Sequence, residues 1–340
     1  MTETQMRREI AEIPQAVARL LDQGRGPIAQ AAAAVRAVDP AVVMTVARGS
    51  SDHACTYMKY ASELLLGLPV ASVGPSVASI YGARLRVQGA LCLSVSQSGQ
   101  SPDIVEMTRA ARAGGALTVA LTNDAGSKLA EEAEQVIDIC AGPERSVAAT
   151  KTFVTSALAG LWLLAEVKGD AELLAAIRAL PEALEAARGV DWSPLDAALR
   201  AGSVYTLGRG PAWAISNEAA LKFKEVCQIH AESYSSAEVL HGPVSIVERG
   251  FPVLAFASAD AAEGPLAEVA DALAGKGAAV FATTPRVTAA QALPVVRTGH
   301  PLCDPLALIV SFYAMIEGLA VARGLNPDMP RHLKKVTETT

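Results

Sequence analysis

Three ionisable side chains in "EAALKFKE" share one helical stripe. Glu218, Lys222 and Glu225 stand at i, i+4 and i+7 of a helix expected over 216–228, with Ala219, Ala220, Phe223 and Val226 on the other side. Farther on, His241-Gly242-Pro243 reads as a compact loop from which an imidazole can project into a cleft. A carboxylate base, an ammonium beside developing negative charge and an acid/base group near neutral pH together suit proton transfer next to a carbonyl. Taken alone, such spacing is more often a solvated face with an i,i+4 ion pair, and a histidine before glycine is more often part of a structural turn.

A second stretch, "LSVSQSGQSPDIV" (93–105), ends an apolar strand in hydroxyls, amides and glycine and then begins a helix. A helix N-terminus presents unpaired N–H groups and the positive end of the dipole, so it holds an anion without Lys or Arg. Ser96, Ser98 and Ser101 add hydroxyl donors, Gln97 an amide, and Gly99 a close approach of backbone. A polar turn with an N-cap is the plainer account of such a loop. Neither GK[ST] nor GxGxxG is present, so nucleotide cradles are excluded and a small phosphorylated metabolite remains.

The surrounding pattern alternates apolar strands with Ala-rich amphipathic helices. Strands are expected at 41–51 (ending in a turn), 68–73, 90–96, 116–123 and 135–142, and helices at 52–67, 101–115, 127–133 and 150–167. Ser101 is a plausible N-cap, Pro102 the first helical residue, and Gly67 and Gly114 helix ends. This alternation predicts an α/β fold with a doubly wound parallel sheet. The opening recurs, because "TVARGSSDHACTYMKYASELL" from Thr45 aligns without gaps to "TLGRGPAWAISNEAALKFKEV" from Thr206, an offset of 161 residues. Two similar domains follow, with Arg48 and Arg209 marking the duplicated turns. The expected organisation is a leader helix at 1–29, domains at 30–168 and 196–325, a helical linker at 169–195 and a tail at 326–340.

Composition agrees with that architecture. The chain has 340 residues, 51% of them hydrophobic and only 4% aromatic, which favours helices packed on sheets. A net charge of −6 without long runs of one sign argues against nucleic acid as a partner. The five cysteines are scattered and form no CxxC, and the N-terminus lacks an apolar signal core, so a reducing cytoplasm is expected. The longest apolar stretch, 305–324, carries Ser311, Glu317 and Gly318 and reads as a buried helix, so no membrane is expected. The histidines (His53, His230, His241, His300 and His332) show no HxxxH spacing. Neither a metal nor another cofactor is expected.

With these residues in view, the chain resembles the two-SIS-domain sugar isomerases, among them the isomerase half of glucosamine-6-phosphate synthase. The stretches that carry it are "SQSGQSPDIVE" (96–106), "SVAATKTFVTS" (146–156), "EAALKFKEVCQIHAESYSSAEVLHGPVSIV" (218–247) and "PRHLKKVTE" (330–338). The resemblance implies two tandem flavodoxin-like SIS domains. It also implies sugar-phosphate contacts at Ser51, Ser96, Gln97, Ser98 and Ser101, with Val147 lining the sugar; Ser101 stands where the family has Thr. It assigns Glu225 to proton transfer between C1 and C2, His241 to ring opening, Lys222 to the charged neighbour, Glu218 to orienting Lys222, and Lys335 to closing on the sugar with a possible imine. In the family the histidine serves the neighbouring subunit, which implies a homodimer. Nothing in the sequence corresponds to the synthase's glutaminase domain, so the favoured expectation is an SIS-type glucosamine-6-phosphate deaminase. The alternatives are an aminotransferase-type isomerase, a fructosamine-phosphate deglycase, or a sugar-phosphate-binding regulator without catalysis.

Overall fold

The computed structural model describes residues 3–200 and 202–335. The first half runs α1 (Gln5–Ala11), α2 (Ile13–Gln23), α3 (Arg25–Val38), β1 (Val43–Val46), α4 (Ser50–Leu66), β2 (Val70–Ser72), α5 (Ser76–Ser79), β3 (Leu91–Ser96), α6 (Pro102–Ala113), β4 (Leu117–Thr122), α7 (Lys128–Glu132), β5 (Gln135–Asp138) and α8 (Lys151–Lys168). After α9 (Ala171–Arg188) come β6 (Ser203–Gly208), α10 (Pro211–Cys227), β7 (His230–Ser235), β8 (Pro252–Ala255), α11 (Glu263–Gly275), β9 (Ala279–Ala282), β10 (Gln291–Ala292) and α12 (Asp304–Ala322).

The chain divides into two compact units. An N-terminal unit gathers Gln15–Glu144, Lys151–Arg178 and the segment from Lys334; a C-terminal unit gathers Arg145–Thr150, Ala179–Leu333 and the leader up to Pro14. Each holds one five-stranded sheet, with every pairing parallel. The N-terminal order is β2-β1-β3-β4-β5, and the C-terminal sheet, read from β7, is β7-β6-β8-β9-β10. Both are the flavodoxin-like order, with a switch point between the first and third strands. The central strands β3 and β4 are buried at every position, as continuous apolar runs covered on both faces must be. In the N-terminal unit α6 closes one face with Ile104, Val105, Met107 and Ala111, while α3, α4 and α8 pack together as helices of the same unit. In the C-terminal unit α11 covers one face through Leu266, Ala270 and Leu273, and α10 packs on β6, β7 and α12.

The duplication extends to the backbone. Gly49 (φ 55, ψ −133) and Gly210 (φ 59, ψ −140) precede α4 and α10 in the same glycine-only conformation. Both helices have 17 residues and end on a left-handed residue, Gly67 (φ 69) or Gln228 (φ 53).

Two expectations change. The leader is three helices rather than one, and α3 continues past residue 29 to Val38. The break before α3 falls at Gly24, where a Cβ would lie 2.6 Å from the Leu20 carbonyl oxygen. The helix expected over 216–228 begins five residues earlier, because Gly210 turns the chain out of β6 and Pro211 takes the first helical position. The apolar run 305–324 is α12, long and apolar enough to cross a membrane but mostly buried inside its unit.

Candidate active site

In the N-terminal unit, β1 and β3 are neighbours at the switch point, so the turns after their carboxyl ends share one edge of the sheet. Ser51 lies in the first turn of α4 after β1, and Ser96 to Ser101 follow β3. Arg48, also after β1, donates to the buried Asp103 carboxylate in the first turn of α6 at 2.9 and 2.7 Å. That ion pair ties the two turns together. The structural role read for Arg48 thus has a partner.

The hydroxyl loop is held from inside. Ser96 Oγ accepts from Gly99 N–H at 3.2 Å and Ser98 Oγ from Gln100 N–H at 3.3 Å. The carbonyls of Gln97 and Gly99 accept from Asn123 and Leu129 N–H. Gly99 has φ +61, and a Cβ there would come within 2.0 Å of Ser127 Oγ, so both conformation and space demand glycine. Ser101 occupies the N-cap position of α6, with Pro102 next, yet its side chain makes no capping bond. Its hydroxyl is not spent on the helix. Burial pushes the nearby Asp52 carboxyl up, with the charges of His53 and Arg48 pulling it back.

In the C-terminal unit, Lys222 is fully buried between two carboxylates. Its ammonium meets Glu218 Oε1 at 3.0 Å and Glu225 Oε2 at 2.7 Å, and Tyr313 O–H donates to Glu218 Oε1 at 3.0 Å. Burial alone would lower the Lys222 pKa; the two carboxylates outweigh it and raise it, so the group is an ammonium and not a free amine. The solvated-face alternative fails, because both sides of α10 are buried. Glu225 alone of the three reaches outward, with 19% of its side chain exposed. It lines a cavity of about 490 Å³ with Lys224, Gln228, His230, Arg331 and His332.

His241 ends a 3-10 turn, Glu238–His241, and is exposed. Gly242 after it has φ 144 and ψ −56, the buried Val239 anchors the turn, and Tyr205 O–H donates to Pro243 O at 3.1 Å. Exposed Leu240 and Ile246 flank it. His241 is not on the cavity that Glu225 lines. Val147 donates its N–H to Asp328 O at 3.2 Å, while Ser146 and Arg145 are held by the buried Glu9 carboxylate of α1. Asp328 also accepts from Gln5 and Met6 N–H at 2.8 and 2.7 Å. In the N-terminal unit Lys335 Nζ meets Glu144 Oε2 at 3.0 Å, and Thr152 O–H donates to the same oxygen at 2.6 Å. The expected tail continues beyond Lys335, outside the described residues.

Tyr313, Asp103, Glu9, Glu144 and Asp328 were not legible as parts of these arrangements. Tyr313 sits in a run that reads as core, 95 residues from Glu218. Asp103 had one signal, a charge directly after the N1 proline in the hydroxyl loop.

A SIS-domain family profile matches residues 41–166 and 199–289. A crystal structure of a protein provisionally named a phosphosugar isomerase, from Silicibacter pomeroyi DSS-3, is 66% identical. It aligns over 96% of this chain and 100% of its own, with a TM-score of 0.94. The glutamine–fructose-6-phosphate aminotransferase (isomerizing) of Aeropyrum pernix is 33% identical over 97% of this chain and 56% of its own length. The chain spans about half the length of the curated relatives it matches. The glucosamine-6-phosphate deaminase structure from Thermotoga maritima shares the fold at 18% identity, covering 99% of this chain and 100% of its own, with a TM-score of 0.78. Two parallel five-stranded sheets in tandem, each with its switch point between the first and third strands, make a double α/β architecture. The chain belongs to the SIS-domain family.

Proposed function

We propose that the protein is a phosphosugar isomerase acting on amino-sugar phosphates, converting glucosamine 6-phosphate and water to fructose 6-phosphate and ammonia. One observation carries the reading: a buried ammonium, Lys222, fixed between Glu218 and Glu225, with only Glu225 open to solvent. A carboxylate so placed can take the C2 proton of an open-chain aldose and return it to C1. Lys222, buried behind Glu225, supplies the positive charge next to the negative charge that builds on the enolic oxygen. Glu218, held by Tyr313, fixes Lys222 in that position. The hydroxyl loop receives the 6-phosphate through Ser51, Ser96, Gln97, Ser98 and Ser101. Val147 borders the sugar, and His241 opens the ring in a partner subunit's site, so the working form is a homodimer. Lys335 is the group that closes on the sugar. Names of relatives support the substrate class, since they include a phosphosugar isomerase, an aminotransferase acting on fructose 6-phosphate and a glucosamine-6-phosphate deaminase.

The test is ammonia release from glucosamine 6-phosphate, run beside exchange of the C2 hydrogen in deuterated water. Glu225→Gln keeps size and hydrogen bonding and removes basicity. It is expected to bind substrate normally and to lose about 10²–10⁴-fold in turnover. Retained turnover would give the base role to another group. A wild type that binds sugar phosphate without exchange or release would be a sensor.

A further inference from the structure

Glu225 has Lys222 on one side and the cavity of about 490 Å³ on the other. The charged and titratable groups on that cavity are Lys224, Glu225, His230, Arg331 and His332. Two of them are imidazoles. His230 opens β7 and shares a hydrogen bond between its Nδ1 and Ser203 Oγ at 3.3 Å. His332 has no hydrogen-bond or ion-pair partner among the described residues. Its backbone is left-handed, with φ +67, in the turn closed by Leu333 N–H to Pro330 O. The other left-handed residue on the cavity, Gln228, is the ordinary C-cap of α10. No helix end requires that conformation at 332. Side chains held in such backbone at a cavity wall are where strain accompanies function.

We propose that His332 is the acid–base group that lets the amine depart, in the reaction whose C1–C2 proton Glu225 moves. The proposal rests on that reading of the site. Proton transfer from C2 to C1 leaves an iminium at C2. Water adds its oxygen to C2 and gives a proton to the neutral imidazole, forming a neutral carbinolamine. The imidazolium then protonates nitrogen. The C2–N bond breaks with its electron pair on nitrogen, an oxygen lone pair closes the C2 carbonyl, and the hydroxyl proton passes to solvent. Iminium and water thus become ketone, ammonia and one proton. One group must accept and then donate near neutral pH, and imidazole is the side chain whose ordinary range lies there. Lys224 and Glu225 of α10, His230 of β7 and the neighbouring Arg331 are the charged and titratable groups that share its wall.

The experiment compares two rates in the full chain, C2 hydrogen exchange and ammonia release from glucosamine 6-phosphate, across pH 5 to 9. His332→Gln is expected to keep exchange while release falls by about 10²-fold and loses its limb near the imidazole range. His332→Gly, which relieves the left-handed backbone, is expected to recover part of release when imidazole is added. Unchanged release in both variants, or exchange and release falling together without imidazole recovery, overturns the role of His332 and leaves the Glu225 reading standing. A wild type with neither exchange nor release overturns both.

Discussion

Ser98 shows how far single residues could be judged from type and spacing. Its hydroxyl accepts a bond from Gln100 N–H at 3.3 Å, and its hydroxyl proton remains available to a phosphate oxygen. Ser98→Ala is expected to weaken glucosamine 6-phosphate binding by about 1–3 kcal/mol, the range for hydrogen bonds to a charged group. Calorimetry checks this, and unchanged affinity removes Ser98 from the phosphate contacts. The hydroxyl loop stands out in sequence because Ser96, Ser98 and Ser101 fall within six residues. The ion triplet was only half legible. Helical spacing gave Glu218, Lys222 and Glu225 a common stripe, but spacing carries no information on depth, and depth is what makes Lys222 a fixed ammonium. Tyr313, which decides where Glu218 points, belongs to another helix, and nothing local to either sequence stretch announces the pairing.

The turns carry the clearest element-level signals in the sequence. Gly67 and Gly114 close α4 and α6 as expected, and Ser101 and Pro102 open α6. The leader departs from expectation because Pro14 and Pro27 stand in the first turns of α2 and α3, where a residue without an N–H cannot continue a preceding helix, and Gly24 crowds the Leu20 carbonyl at the second break. Gly99 is required both by φ +61 and by Ser127 and Thr122 behind it. Gly99→Ala is expected to lower stability by about 1–3 kcal/mol, the cost of one residue forced into a sparsely populated conformation. It should also displace Ser98 and Ser101, so sugar-phosphate affinity falls with it. Denaturant melts beside calorimetry test both halves, and a stable variant with full affinity would mean the loop relaxes around the methyl group.

For the molecule as a whole, the proposed homodimer makes a demanding prediction. Glu225→Gln and His241→Asn variants are each expected to be nearly inactive alone. Mixed under conditions where subunits exchange, they should recover activity, because a mixed dimer can assemble one unaltered site. Absence of recovery despite demonstrated exchange would mean that each chain completes its own site. The exposed Leu240 and Ile246 beside His241 are the apolar surface such an assembly would cover. Fold class was open to sequence at this level because alternation of strand and helix repeats over long spans and tolerates local errors.

The matched backbones at Gly49 and Gly210 have a historical consequence. In the copy that begins at Thr45, the positions of Glu218, Lys222 and Glu225 are held by Tyr57, Ala61 and Leu64. In the copy that begins at Thr206, the third strand is followed by "FASADAA" in place of the serine-rich loop. An ancestral gene that doubled could let one descendant half specialise in recognition and free the other to acquire reactivity, each drifting without loss of its sibling's trade. The shared glycine turn is then a relic of common descent that neither half could discard, since no other amino acid fits its torsions.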